Sequence, residues 1–342
     1  PDVGTPRSRG AHVMRRNHRP LLVLAALAAA VPAQSLFRDL TPAAASSTAS
    51  NPGPAVVQGN VAWFAATDQY GRELWRTDGT EPGTWRLRDV NPGSAGSDPS
   101  LLTPVGGLLF FVARQDGFGR ELWVTDGTSG GTRLVLDIGP GSDVGADITA
   151  AVAFQGALWF VATTPANGSE LWRSDGTAAG TQMVVDLFAG PNSSSPADLV
   201  VWNGQLWFTA TNGASGRELW RSNGTALGTT IAIELAAGSS SLAPLDLCVA
   251  GNRLFFTAQT AAAGRELWAS DGTPGGTAQT RDIAVGTGGS FVERITPFGN
   301  RVLFWASDAA AGLEPWSSDG TTNGTVRLVD GVVGTGSSSA TN

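Results

Sequence analysis

Apolar residues along the chain gather in short runs, and polar, glycine-rich segments separate the runs in a fixed order. The stretch 101–138 shows that order once. An apolar run at 101–105 meets Gly106-Gly107, a two-residue hairpin signal. Residues 108–113 (LLFFVA) are apolar throughout. A polar loop at 114–119 leads into 120–125 (RELWVT), Asp126-Gly127-Thr128 turns the chain, and 133–138 (RLVLDI) runs back. This spells four short strands, with connections short enough for antiparallel neighbours. Runs that are apolar without alternation belong to strands covered on both faces.

The same order returns six times. Each copy carries a phrase that starts at Glu73, Glu121, Glu170, Glu218, Glu266 or Glu314, at spacings of 48, 49, 48, 48 and 48. Two positions on stand Trp75, Trp123, Trp172, Trp220, Trp268 and Trp316. The turn is Asp78-Gly79, Asp126-Gly127, Asp175-Gly176, Asn223-Gly224, Asp271-Gly272 and Asp319-Gly320. Upstream, Ala66, Ala113, Ala162, Ala210, Ala258 and Ala306 hold one small position in the apolar strand. Large and small side chains at fixed places suit interdigitated packing. A fixed period of this size marks a repeat architecture, and a four-stranded unit covered on both faces is a propeller blade. The expectation is therefore an all-β fold: a β-propeller of six four-stranded blades, about 48 residues per repeat, forming a single domain over 34–342. A propeller loses its sheet edges by closing its ring. Either 36–40, which matches the outgoing strand at 87–90, or 327–330 would complete the closing blade. The tail 331–342 parallels 283–294 and stops where another strand would begin, so a fragment of a longer propeller is the alternative reading.

The repeated phrase resembles the ELWxxDGT repeat of secreted bacterial proteins. The match covers about 36–330, with Glu and Trp present in all six copies; Asn223 and Pro315 depart from it. The resemblance implies a secreted or surface-associated β-propeller without an established activity. It brings no catalytic residues with it.

Composition then narrows the chemistry. All 22 basic residues are arginine, and the formal charge is −7, which argues against a nucleic-acid surface. The one cysteine, Cys248, reads as a small buried apolar residue. Met14 opens a basic segment followed by an apolar run, and Val31 and Ala33 fit a cleavage site. Residues 1–33 are read as upstream residues plus a secretory signal peptide at 14–33, giving an extracellular or cell-surface protein exported by a Sec-type signal. The apolar run is shorter than the ~20 residues a spanning helix needs, so the mature chain is expected to have no transmembrane span. Both histidines, His12 and His18, fall inside 1–33.

Without a mature histidine, a Ser-His-Asp triad and a His-ligated metal are excluded, and without lysine so is Schiff-base chemistry. Carboxylates, Arg, Tyr70, hydroxyls and Trp remain. The six glutamates form a ring by symmetry, read either as a polar-ligand site or, preferred here, as acceptors of backbone N–H groups. The Asp-Gly-Thr turns read as side-chain-capped turns with glycine at positive φ. A calcium loop is the alternative, but only one Asp is fixed where several oxygen ligands are needed. No other cofactor is expected. Most of the twelve tryptophans read as packing between blades. Trp85 and Trp305 break the column pattern and, with Tyr70 and Asp308, are the candidates for facing a ligand. Enzymes break symmetry, and the sixth repeat departs most, at Glu293, Arg294, Trp305, Asp308 and Pro315. The expected function is a non-enzymatic binding or adhesion scaffold for an extracellular protein or glycan. A multivalent glycan-binding propeller is the alternative, and a carboxylate-based glycoside hydrolase or lyase comes third. The variable loops at 68–71 and 114–119 are the expected ligand-contacting segments.

Overall fold

The computed structural model describes residues 49–140, 145–308, 310–331, 334 and 337. The leader and the segment 36–40 lie outside the described residues. Among the described residues, twenty-four strands form six separate four-stranded sheets, each antiparallel and each built from consecutive strands. This is the six-bladed β-propeller. Blade 1 comprises Val56–Gln58, Val61–Asp68, Gly71–Thr77 and Trp85–Arg86. Blades 2 to 6 repeat it, the last with Glu293–Phe298, Arg301–Asp308, Gly312–Ser318 and Val326–Arg327. Of the two segments expected to complete the closing blade, the sixth sheet takes Val326–Arg327, from its own repeat.

The apolar second strand works as two columns because successive side chains point to opposite faces. In blade 2, Phe110, Val112 and Leu122 pack towards blade 3, against Leu158, Phe160 and Ala162. Leu109, Phe111, Ala113 and Trp123 pack towards blade 1, against Trp63, Leu74, Leu87 and Val90. The alternating pattern thus reads as a continuous apolar run because each face has its own neighbour. Three further cores join blades 3 and 4, 4 and 5, and 5 and 6. Burying one such large side chain is worth about 1.5–3 kcal/mol, so the inter-blade cores hold each blade to the next. The alanine column is fully buried, and in blades 2 to 6, where it faces the preceding blade, a larger side chain would push the sheets apart.

The first strand of a blade bends. Register shifts occur between Ser100 and Thr103, Ala197 and Val200, Leu245 and Cys248, and Glu293 and Thr296. At these bulges Leu101, Asp198, Asp246 and Arg294 take φ of 51°, 55°, 61° and 54°. A left-handed backbone in four non-glycine residues at one structural position means that the bulge belongs to the blade design.

Candidate functional site

The six repeat glutamates are fully buried; those of blades 1 to 5 close the connection to the next blade, and Glu314 holds the segment leaving blade 6. Glu73 Oε2 accepts from Val90 N (3.2 Å) and from Ser97 Oγ (2.6 Å). Glu121 accepts from Ile138 N (3.1 Å) and Gly139 N (2.9 Å). Glu170 accepts from Leu187 N, Ser194 N and Ser194 Oγ. Glu218 accepts from Leu235 N, Glu266 from Ala284 N and Ser290 Oγ, and Glu314 from Gly331 N. The partners come from the end of the outgoing strand and from the loop that enters the next blade. Sequence reading missed the serines, although Ser97, Ser194 and Ser290 each follow their glutamate by 24 residues. Burial outweighs these donors and pushes Glu73, Glu121 and Glu218 up to about 7. It also raises Glu170 and Glu266.

The Asp-Gly-Thr segments form one turn six times. Asp126 Oδ1 accepts from Thr128 N (2.9 Å) and Thr128 Oγ1 (2.7 Å), and Gly131 N donates to Thr128 Oγ1. Asp78, Asp175, Asp271 and Asp319 repeat these bonds, and Asn223 does the same with Thr225. The threonine hydroxyl holds the turn aspartates below their ordinary range. Gly127 lies at φ 95°, and Gly79, Gly176, Gly224, Gly272 and Gly320 are likewise positive. A Cβ on Gly127 would also stand 3.2 Å from Trp63 and 3.3 Å from Arg76. Gly127→Val is therefore expected to lower the thermal midpoint by several degrees, and Ser129→Val far less; equal midpoints would contradict the turn. Among the described residues, no group of three or more His, Cys, Asp or Glu is placed to hold a metal ion.

In the repeat tryptophan column, Trp75, Trp123, Trp220 and Trp316 are buried, and Trp172 and Trp268 half-buried. Trp75, Trp220 and Trp316 donate Nε1–H to the alanine-column carbonyls of Ala66, Ala210 and Ala306. The four proposed ligand-facing residues split between two blades. In blade 1, Trp85 lies half-buried beneath the Arg76 guanidinium at 4.3 Å, and Tyr70 beneath that of Arg86 at 4.0 Å. In blade 6, Trp305 is half-buried opposite Glu293 and Pro315. Asp308 accepts from Ala310 N and Ala311 N and pairs with Arg327 at 3.2 Å. Cation–π stacking and an ion pair already occupy three of them.

Symmetry breaks elsewhere, at the first-strand bulge. Leu101 of blade 2 is replaced by Asp198 in blade 4, Asp246 in blade 5 and Arg294 in blade 6. Each aspartate sits in a matching polar set. Thr257 Oγ1 donates to Asp246 Oδ2 (3.1 Å), and Arg265 donates to Thr257 Oγ1 (3.0 Å) and to Ala243 O (2.9 Å). In blade 4, Arg217 donates to Thr209 Oγ1 (2.9 Å), whose hydroxyl lies 3.5 Å from Asp198 Oδ2. Burial, then the neighbouring Asp246 charge, pushes the Asp198 carboxyl up, and burial pulls both guanidinium groups down. Beside this set opens a cleft of about 390 Å³, lined among others by Gln259, Arg265, Phe291 and Glu293. Phe291 is exposed at its rim. Opposite charges flank an aromatic surface, an arrangement that can hold a zwitterionic ligand by both ends. Of this sector, the sequence singled out Glu293 and Arg294 alone; aligning the bulge position across the repeats would have exposed the aspartates.

No family model matches the chain, and no curated protein matches it. Among solved structures, oligopeptidase B from Leishmania major is similar at a TM-score of 0.53 and 12% identity, over 80% of this chain and 41% of that one. A puromycin hydrolase is similar at a TM-score of 0.48 and 15% identity, over 84% of this chain and 55% of that one. A puromycin-hydrolyzing peptidase of Mycobacterium tuberculosis reaches 0.48 and 16%, over 81% and 44%. The chain thus spans about half the length of these structures or less. At such identities the likeness is one of fold. It nonetheless corrects the functional expectation: a solved structure with this fold is a peptidase. The expected adhesion scaffold, glycan-binding propeller and carboxylate glycosidase are set aside. The reason the sequence misled is physical: repeat symmetry reports on packing, and packing is indifferent to what the blades serve.

Proposed function

We propose that this chain is a peptidase-related propeller that receives the ends of short peptides, with peptide-bond chemistry carried by residues outside it. The observation that carries the reading is the cleft lined by Arg265, Phe291 and Glu293. Arg265 is a repeat position, shared with Arg72, Arg120 and Arg217, whereas Glu293 stands where blade 2 has Ser100, so only this blade pair sets the arginine against an acid. Arg265 suits a peptide carboxylate, Glu293 a peptide ammonium group, and Phe291 an apolar side chain between them. The 34–342 segment supplies neither histidine nor lysine for hydrolysis. Two further elements of the reading rest on sequence: the ELWxxDGT resemblance and export by the leader at 14–33.

Calorimetric titration of the purified chain with short peptides tests this. Peptides with free termini are expected to bind, and N-acetylated, C-amidated versions to bind at least about tenfold more weakly, the size of one charge-assisted hydrogen bond. Arg265→Ala is expected to remove the preference for a free carboxylate. Equal affinity for free and blocked peptides, or binding of oligosaccharides alone, contradicts the reading. Hydrolysis of the peptides by this chain alone contradicts the placement of the chemistry.

A further inference from the structure

In blades 1 to 5 the face carrying the first column of the second strand is sealed by the following blade. Blade 6 carries the same face without that seal. Phe298 ends its first strand where Val105, Phe154 and Trp202 stand in other blades; they are 7%, 6% and 3% exposed, and Phe298 is 64%. Leu328 donates its N–H to Pro315 O as Leu87 does to Leu74 O. Leu87 is 2% exposed and Leu328 54%. Between them Leu303, Trp305 and Pro315 are half-buried, at positions filled in blade 2 by the buried Phe110, Val112 and Leu122. The face spans all four strands. Among the described residues no buried core joins blade 6 to blade 1. On the facing side of blade 1, Phe64 is half-buried where its counterparts Phe111 and Phe160 are fully buried, while Ala66 and Trp75 of the same column are buried, so the exposure is concentrated on blade 6.

We infer that this face takes one further blade of the same repeat, continuous with this polypeptide and seated between blades 6 and 1. The five existing interfaces define the fit. Each pairs the Leu328-type face with a column of Phe, Ala and Trp such as Phe111, Ala113 and Trp123. A further blade presents that column to the open face of blade 6 and its own opposite face to the half-buried Phe64. An apolar face across a whole sheet is uncommon on a soluble monomer and marks an interaction site. The inference is independent of peptide binding, which involves the cleft at Arg265.

The test compares the present chain with one extended after Asn342 by a copy of its residues 102–138, which keeps the repeat spacing. The present chain is expected to bind the dye 1-anilinonaphthalene-8-sulfonate. The pair Phe298→Asp and Leu328→Asp is expected to abolish that binding while leaving Tm unchanged, because an open face loses nothing on becoming polar. The extended chain is expected to lose dye binding and gain several degrees in Tm, and the Asp pair to cancel the gain. Absence of dye binding, or unfolding of the present chain by the Asp pair, would show the face already covered and overturn the inference. So would an extended chain no more stable than its parent, or a present chain that sediments as a dimer dissociated by the Asp pair.

Discussion

Glu121→Ala is expected to destabilise the propeller by about 3–5 kcal/mol, and Glu121→Gln by under about 1.5 kcal/mol. The carboxylate is fully buried and is the acceptor for Ile138 N and Gly139 N, themselves buried at the exit from blade 2. Alanine leaves two buried donors without an acceptor, each costing about 1–3 kcal/mol, and adds a cavity between strand and loop. Glutamine keeps the shape and one oxygen acceptor, so the connection stays closed. Urea unfolding, followed by tryptophan fluorescence and circular dichroism, measures both. Matching midpoints for Ala and Gln would mean that the glutamate fills space and does not clamp the chain.

The second large effect is a loss of stability between about pH 4.5 and pH 7. Glu73, Glu121 and Glu218 are held up to about 7 in the fold, from an ordinary value of 4.5. Between those values the folded chain holds protons that the unfolded chain has released. The stability these groups contribute is therefore full below about 4.5 and is lost as the pH rises through about 7. Each group contributes a slope on the order of 1 kcal/mol per pH unit inside that window. The turn aspartates act in the opposite sense. Their folded values are lowered, so their contribution is present above the ordinary value of 3.8 and fades as the pH falls through the folded value. The urea midpoint is expected to fall from pH 5 to pH 8, and Glu121→Gln to flatten the decline. A midpoint that holds steady or rises over that interval contradicts the assignment.

The blade was readable because its causes are local. Gly127 at positive φ, the large and small columns of Phe111 and Ala113, and the Gly106-Gly107 hairpin are fixed by residues close together in sequence, and the period multiplied each signal. The glutamate was harder. Its acceptor role was expected, but its partners, Ser97 and Val90, lie in the connection that the repeat phrase does not include. The contacts of the ligand-facing candidates were hidden for a related reason. The arginines Arg76 and Arg86 stack on Trp85 and Tyr70 only once the fold brings them together. The charged sector stayed hidden because Asp198 and Asp246 depart from symmetry in the short first strands, away from the conspicuous phrase, while their partner Arg265 is a repeat position beside Glu266.

The central claim is that the sector of blades 4 to 6, and not the repeat phrase, meets the peptide. Backbone hydrogen exchange, measured with and without a saturating free-ended peptide, tests it most directly. Protection is expected at 259–265 and 287–294, with the turns after Asp78 and Asp126 unchanged. Protection concentrated at 68–89 in blade 1, or spread equally over the six turns, would contradict it.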